Sequence, residues 1–209
     1  MAFILMAPRR IGESERFLRE GEWLQGRMDL GTTVRGKRLG ILGLGRIGKA
    51  VARRAEVFGL QIGYFDIKPM GDLAYRSYAT LMDLAEASDI LLVACEGGEA
   101  NRSVVSSEVI EAIGPKGFLV NTARGPIVDQ AALVAALEDG KLAGAALDVF
   151  DGEPQVPTKM MAMENVVLTP HIASSTHETR RAMGDLVYDN LRAHFDGKPV
   201  LTPVPPQLG

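Results

Sequence analysis

From Lys37 to Pro170 the chain alternates short β-prone runs with helical patterns, and this alternation constrains its fold more than any other feature. "KRLGILG" precedes "RIGKAVARRAEVFG", "QIGYFD" precedes "ATLMDLAEAS", "DILLVAC" precedes "SSEVIEAIG", and "GFLVNTA" precedes "DQAALVAALEDG"; "AGAALDVF" and "NVVLTP" follow as further strands. Strands separated by helices cannot pair as tight hairpins. They need crossovers, and right-handed helical crossovers produce a parallel sheet with helices on both faces. The spacing therefore predicts an α/β architecture: a Rossmann-like doubly wound parallel sheet, preceded by an N-terminal helical segment and followed by a long C-terminal helix.

Helix punctuation agrees. Asp129 stands where an N-cap is wanted, Leu133 and Leu137 share one face at i, i+4, and Gly140 follows as a left-handed stop. Gly59 plays the same part for the helix carrying Ile47 and Val51. Further on, "STHETRRAMGDLVYDNLRAHF" sets Ser175 three residues before Glu178, the spacing of a capping box, and predicts a helix of about five turns. The closing "PVLTPVPPQLG" is too proline-rich for a helix or central strand and reads as extended. At the other end, "MAFILMAPRR" puts its apolar run before its charges, the reverse of a secretory signal. Its seven apolar positions also fall short of the roughly 20 that span a bilayer. It reads as the buried end of a helix.

"LGILGLGRIGKAV" places Gly43, Gly45 and Gly48 in GxGxxG spacing directly after a strand and at the start of a helix. In that context Gly43 permits the tight turn and Gly45 lets a pyrophosphate approach the backbone. Gly48 lets helix and strand pack closely, and the helix N-terminus offers N–H groups with a positive dipole end. Arg46 and Ile47 lie on that first turn. The next strand ends in Asp66, eighteen residues after Gly48, where a carboxylate can accept from adenosine ribose hydroxyls. Asp66 favours NAD, because a carboxylate repels the 2′-phosphate of NADP; Lys68, two residues on, softens the preference.

Composition excludes several other readings. With 46% hydrophobic and 23% charged residues, the chain has the make-up of a protein with a packed core. Cys95 is the sole cysteine, so no intramolecular disulfide can form, and no Cys/His cluster has zinc-ligand spacing. These features point to a reducing compartment, the cytoplasm, and to no metal. A formal charge of −3 with scattered arginines provides no basic stripe for nucleic acid, and no segment is suited to a membrane.

Three stretches stand at or just beyond strand ends: "NTARGPIVD", "ALDVFDGEP" and "LTPHIASS". Ligands of open parallel sheets sit outside the strands' carboxyl ends, which makes Arg124, Asp148, Glu153 and His171 candidates for one site. Exchanging a hydride with a secondary alcohol needs a base for the hydroxyl proton, and histidine titrates near neutrality. A carboxylate beside it favours the imidazolium, and an arginine's planar fork can hold a substrate carboxylate. Taken singly, Arg124 can equally be a surface ion-pair partner, Glu153 a turn residue and His171 a strand cap; the set points to a 2-hydroxy acid site. His177 and His194 on the C-terminal helix are assigned no chemistry. Cys95 reads as a small buried residue whose backbone can touch the cofactor.

"GLGRIG", "NTARGPIVDQAALVAAL", "GAALDVFDGEP" and "NVVLTPHIASST" resemble the signature blocks of the D-isomer-specific 2-hydroxyacid dehydrogenases, from about Ala2 to Pro203. The resemblance implies His171 as general acid/base, Glu153 as its paired carboxylate, Arg124 as the substrate-orienting arginine, and Asp148 near the nicotinamide carboxamide. It implies cofactor contacts from Arg46, Ile47, Asp66, Cys95, Thr122, Ala123, Arg124 and the segment from His171 through Ala173 and Ser174. Glu153 points to hydroxyacid chemistry, because related formate dehydrogenases pair their histidine with glutamine. "VACEGGEANRSVV" departs from the family pattern at Glu96, where proline is common, and at Gly97-Gly98, which implies a more flexible loop.

Family members also carry a substrate domain of roughly a hundred residues ahead of the point where this chain starts. The resemblance therefore implies that Met1 corresponds to an internal position of a longer chain. It divides the chain into a helical lead-in and dimerisation segment (1–35), a dinucleotide-binding domain (36–174) and a C-terminal helix and tail (175–209) that pack on the absent domain. Within the lead-in, Arg9 to Thr33, with Phe17 and Trp23 reading as exposed, resembles the segment that builds the family's homodimer. Two functions are expected. The first is NAD-dependent hydride transfer with a small 2-oxo or D-2-hydroxy acid such as glyoxylate or hydroxypyruvate. The alternative is a non-catalytic, NAD-binding, dimerising module.

Overall fold

The computed structural model describes residues 1–68 and 74–204, so the last five residues of the proline-rich tail lie outside it. Seven parallel strands form one sheet: β1 (Arg38–Leu42), β2 (Gln61–Phe65), β3 (Arg76–Ser77), β4 (Ile90–Val93), β5 (Phe118–Asn121), β6 (Gly144–Leu147) and β7 (Val166–Leu168). Their order is β3-β2-β1-β4-β5-β6-β7, and the direction of winding reverses between β1 and β4. The helices are α1 (Ala2–Met6), α2 (Ile11–Arg19), α3 (Arg46–Val57), α4 (Leu81–Glu86), α5 (Ser107–Ile113), α6 (Gln130–Glu138), α7 (Thr158–Met161) and α8 (His177–Phe195). The chain divides into two compact units, Met1–Pro170 and His171–Gly209.

Every strand read from the sequence is present. The edge strand β3 was not read: it pairs only Arg76 with Gly63 and Ser77 with Tyr64, too short to show a period of two. Alternation along the strands sends side chains to two separate cores. Leu39 and Ile41 of β1, Ile90 and Leu92 of β4, and Val120 of β5 join Ala52 and Ala55 of α3 on one face. Leu42, Leu91, Val93 and Leu119 join Leu84 of α4, Ile110 of α5, and Leu133 and Leu137 of α6 on the other. A sheet covered on both faces buries every residue of β4, which explains the unbroken apolar run "ILLV". Burial of each such side chain contributes about 1.5–3 kcal/mol.

The opening apolar run becomes α1, whose Ile4 (1% exposed) enters the α3-side core together with Ala7 just beyond the helix. Thr32 N–H donates to Pro8 C=O (2.7 Å) and returns the lead-in to the sheet. Between them the segment turns outward: Leu18, Trp23, Leu24 and Leu30 are exposed, whereas Phe17 is half-buried rather than exposed as the sequence had suggested. Asp129 caps α6 by accepting Ala132 N–H (3.0 Å), and Gly59 and Gly140 take positive φ after their helices. A reciprocal capping box forms at α4 between Thr80 and Asp83.

In the second unit, the expected Ser175–Glu178 box is replaced by a cap one residue later. Thr176 Oγ1 accepts Thr179 N–H (3.1 Å), while Ser175 N–H donates to Ile172 C=O (2.9 Å) in the preceding turn. That turn takes Ser175 out of cap register. Along α8, Met183, Leu186, Val187 and Leu191 form an apolar stripe that stays exposed among the described residues. Asn190 holds the following tail, its side-chain oxygen accepting Thr202 N–H (3.1 Å).

At the amino edge of the sheet, Asp89 accepts from Arg38 N–H (2.8 Å) and from the Arg38 guanidinium (3.0 Å), joining β1 to β4. The bond to the guanidinium holds the Asp89 carboxyl below its ordinary value. Its stabilising contribution is therefore present above the unfolded value near pH 4 and is lost as pH falls through the depressed folded value. Asp89→Asn should flatten the acid side of the stability–pH curve, read by denaturant titration. The half-exposed pair limits the effect to about 1 kcal/mol. Leu119→Ala should destabilise by about 2–5 kcal/mol at any pH.

Candidate functional site

The reversal between β1 and β4 leaves a crevice outside the strands' carboxyl ends, where open α/β sheets take ligands. The first wall is the glycine turn. Gly43 adopts φ 90°, and a Cβ there would lie 2.5 Å from Cys95 Cα, so only glycine fits between the ends of β1 and β4. A Cβ on Gly48 would lie 2.3 Å from Gly43 C=O, whereas one on Gly45 would meet nothing within 4 Å. The three glycines thus divide as the motif predicts: two for close backbone packing and one beside open space. Gly45 is also the extended N-cap of α3 and lends no side-chain cap, which leaves the first-turn N–H groups available to a ligand.

The crevice has a volume of about 820 Å³. Gly45, Arg46 and Ile47 form one side, Ala94 to Glu99 after β4 another, and Thr122, Ala123 and Arg124 after β5 a third; Arg102, Pro126 and Ile127 complete the lining. The structure therefore gathers Gly45, Arg46, Ile47, Cys95, Thr122, Ala123 and Arg124 of the expected residues, with Gly43 and Gly48 shaping the turn behind them. Sequence reasoning gave no role to Arg102. Its guanidinium pairs with Asp151 (3.1 Å), 49 positions away, as well as with the nearby Glu99 (3.7 Å), and the long-range contact leaves no mark in the local sequence. The unusual Gly97 also acquires a reason: a Cβ there would come within 2.6 Å of Arg124 Cγ, so the loop backbone lies directly against the arginine stem.

Asp66 follows β2 but does not line the crevice. Its Oδ2 accepts Leu44 N–H (2.8 Å) and its Oδ1 accepts Lys68 N–H (2.9 Å), so the carboxylate ties the glycine turn to β2. Each oxygen retains a further lone pair for a hydroxyl donor. Burial pushes the Cys95 thiol up, with the Asp66 and Glu96 carboxylates acting in the same direction, so it stays a neutral thiol at pH 7.

Asp148, 2% exposed, lies just after β6, where it accepts from Thr169 Oγ1 and its N–H donates to Asn121 C=O (3.1 Å). Glu153 accepts Phe150 N–H (2.9 Å) across its own turn. His171, Ala173 and Ser174 belong to the second unit, where His171 takes φ 51°, a left-handed conformation uncommon outside glycine. His177 and His194 are exposed on α8. Among the described residues, no group of three or more His, Cys, Asp or Glu is placed to hold a metal ion, and no helix is long and apolar enough to cross a membrane.

Residues 1–173 match the sequence profile of the D-isomer specific 2-hydroxyacid dehydrogenase NAD binding domain. The chain belongs to this NAD(P)-dependent family. It is 52% identical over 206 residues to a glyoxylate/hydroxypyruvate reductase of Arabidopsis thaliana and 51% identical over 204 residues to the hydroxyphenylpyruvate reductase of Plectranthus scutellarioides. Each alignment covers 98% of this chain and 65% of the relative, so the chain spans about two thirds of their length. An NADPH-dependent glyoxylate/hydroxypyruvate reductase from Sinorhizobium meliloti, solved with NADP and malonate, superposes with a TM-score of 0.92 at 45% identity. That superposition covers 97% of this chain and 64% of the solved one.

The glycine geometry predicts that fold stability and cofactor binding respond to different glycines. Gly43→Ala should destabilise the fold by about 2–4 kcal/mol, through the strained φ and the contact with Cys95. Gly45→Val should lower the unfolding free energy by no more than about 1 kcal/mol, the cost of a poor N-cap residue, yet weaken NADH binding at least about tenfold, followed by nicotinamide fluorescence. Equal losses in both properties for both variants would contradict this division.

Proposed function

We propose that the chain is the cofactor-binding part of an NAD-dependent oxidoreductase acting on a small 2-oxo or D-2-hydroxy acid, glyoxylate and hydroxypyruvate being the leading candidates. The observation that carries this reading is the open space at Gly45, at the uncapped start of α3 and facing a crevice that ends in Arg124. A dinucleotide pyrophosphate fits such a cradle, with Gly45, Arg46 and Ile47 holding it and Asp66 accepting from the adenosine ribose. Cys95, Thr122, Ala123, Ala173 and Ser174 are assigned further cofactor contacts, and Asp148 the carboxamide end.

When bound, the nicotinamide supplies or accepts the hydride at C2 of the acid. Arg124 holds the acid's carboxylate through its N–H fork and polarises the neighbouring carbonyl. His171 gives a proton to the carbonyl oxygen during reduction and removes it during oxidation, and Glu153 favours its imidazolium form. The names of relatives at 52% and 51% identity cover different acids, so the substrate is proposed as a class.

NAD is proposed over NADP because the Asp66 carboxylate repels a 2′-phosphate, although the solved relative is NADPH-dependent. The exposed Leu18, Trp23, Leu24 and Leu30 of the lead-in support a homodimer formed through residues 1–35. The stripe on α8 supports docking of residues 175–209 on a substrate domain. The same exposed lead-in residues support a second reading, a non-catalytic NAD-binding, dimerising module.

Steady-state assay separates the readings: NADH oxidation dependent on glyoxylate or hydroxypyruvate supports the enzyme, and NADH binding without turnover supports the module. If the enzyme reading holds, His171→Gln should lower kcat by about 10²–10⁴-fold. Fluorescence titration should show NADH binding tighter than NADPH, and Asp66→Ser should narrow or reverse that order. A wild-type preference for NADPH would overturn the NAD assignment. A monomeric sedimentation mass at micromolar concentration would exclude the dimer.

A further inference from the structure

Strand β5 ends in a buried amide. Asn121 is 1% exposed, and its side chain reaches forward along the chain: Oδ1 accepts Ala123 N–H (3.0 Å) and Nδ2 donates to Arg124 C=O (3.0 Å). Using one amide as acceptor and donor closes residues 121–124 into an Asx-type turn. Arg124 closes it again from the other side, its Nη1 donating to Ala123 C=O (2.7 Å). The backbone N–H and C=O of Ala123 are thus held by the two side chains between which it lies.

Two close approaches restrict the same arginine. A Cβ on Gly125 would lie 1.9 Å from the Phe150 carbonyl carbon, so the chain leaves Arg124 pressed against the loop after β6. Gly97 meets the Arg124 stem from the loop after β4. Asn121 also joins this turn to the sheet, because its C=O accepts Asp148 N–H (3.1 Å).

We propose that Asn121 is the positioning residue for Arg124: its amide fixes the turn that presents the guanidinium, so that an N–H fork is set before a carboxylate arrives. The inference rests on Arg124 holding the carboxylate of the 2-oxo acid. Arginine has five N–H groups, and the bond to Ala123 C=O commits one of them, so a fork remains for an anion. Holding this long side chain in advance removes the ordering loss that binding would otherwise incur. Asparagine is required because the position needs acceptor and donor together. Aspartate keeps the size but loses the donor, leaving a carboxylate oxygen against Arg124 C=O.

The test uses the 209-residue chain with NADH and oxalate, a two-carbon mimic of the substrate carboxylate, and follows the ¹⁵N-labelled Arg124 Nε–H resonance by NMR. In wild type, oxalate added to the NADH-bound chain should shift this resonance saturably. Asn121→Asp should weaken oxalate at least about tenfold while NADH affinity stays within about threefold, and Ala123 N–H exchange should keep its protection. Asn121→Ala should lose the oxalate response and that protection. Asn121→Ser, whose hydroxyl can still accept Ala123 N–H, should recover part of both and provides the comparison should the aspartate variant not fold.

Unchanged oxalate affinity in a folded variant, or parallel losses of oxalate and NADH, would overturn the proposal. Absence of NADH binding by wild type would defeat the cofactor reading itself. NADH binding with an Arg124 resonance indifferent to oxalate would defeat the assignment of Arg124. Either result removes the basis for Asn121 and is distinguishable from a failure of Asn121 alone.

Discussion

The carboxyl edge of the sheet depends on how closely the turn after β1 can approach the end of β4. Gly43 sits at positive φ against the Cys95 backbone, and any side chain there would push the two strand ends apart. With that approach made, Gly48 packs over Gly43, α3 starts at Gly45, and its uncapped N-terminus faces the crevice. Asp66 reinforces the turn through Leu44 N–H, so the group assigned to the ribose also supports the loop assigned to the pyrophosphate. The Asp66 carboxylate and the glycine turn are therefore mechanically linked in this chain.

On the other side of the crevice the same economy of backbone applies at Asn121. The sheet supplies a rigid strand end, and one buried amide converts it into a turn carrying Arg124. Gly97 and Gly125 then let neighbouring backbone close on that turn without a Cβ in between. Rigid strands with short loops place functional groups more tightly than long loops do. The pattern fits an enzyme family in which one cofactor scaffold serves several acids.

Family membership and substrate are separate matters here. Identities of 52% and 51% reach relatives named for different acids, and each of those relatives is longer than this chain. What they share with it is sequence along 98% of this chain, which includes the cofactor scaffold.

The sheet, its parallel winding, the glycine turn and the family are legible in the sequence, because they rest on local signals: apolar runs of strand length, helical periodicity, GxGxxG after a strand, and Asp129 or Gly140 at helix ends. Sequence reasoning missed β3, two residues long, and misplaced the α8 cap by one position, because Ser175 and Thr176 are equally suited to the task and the turn at Ile172 chooses between them. Which chemistry-bearing residues share a wall follows from packing between distant segments. Arg102 lines the crevice and pairs with Asp151, the Gly97 backbone lies against the Arg124 stem, and the Asn121 amide holds the arginine turn. Such roles depend on the approach of backbone segments distant in sequence, which no periodicity records.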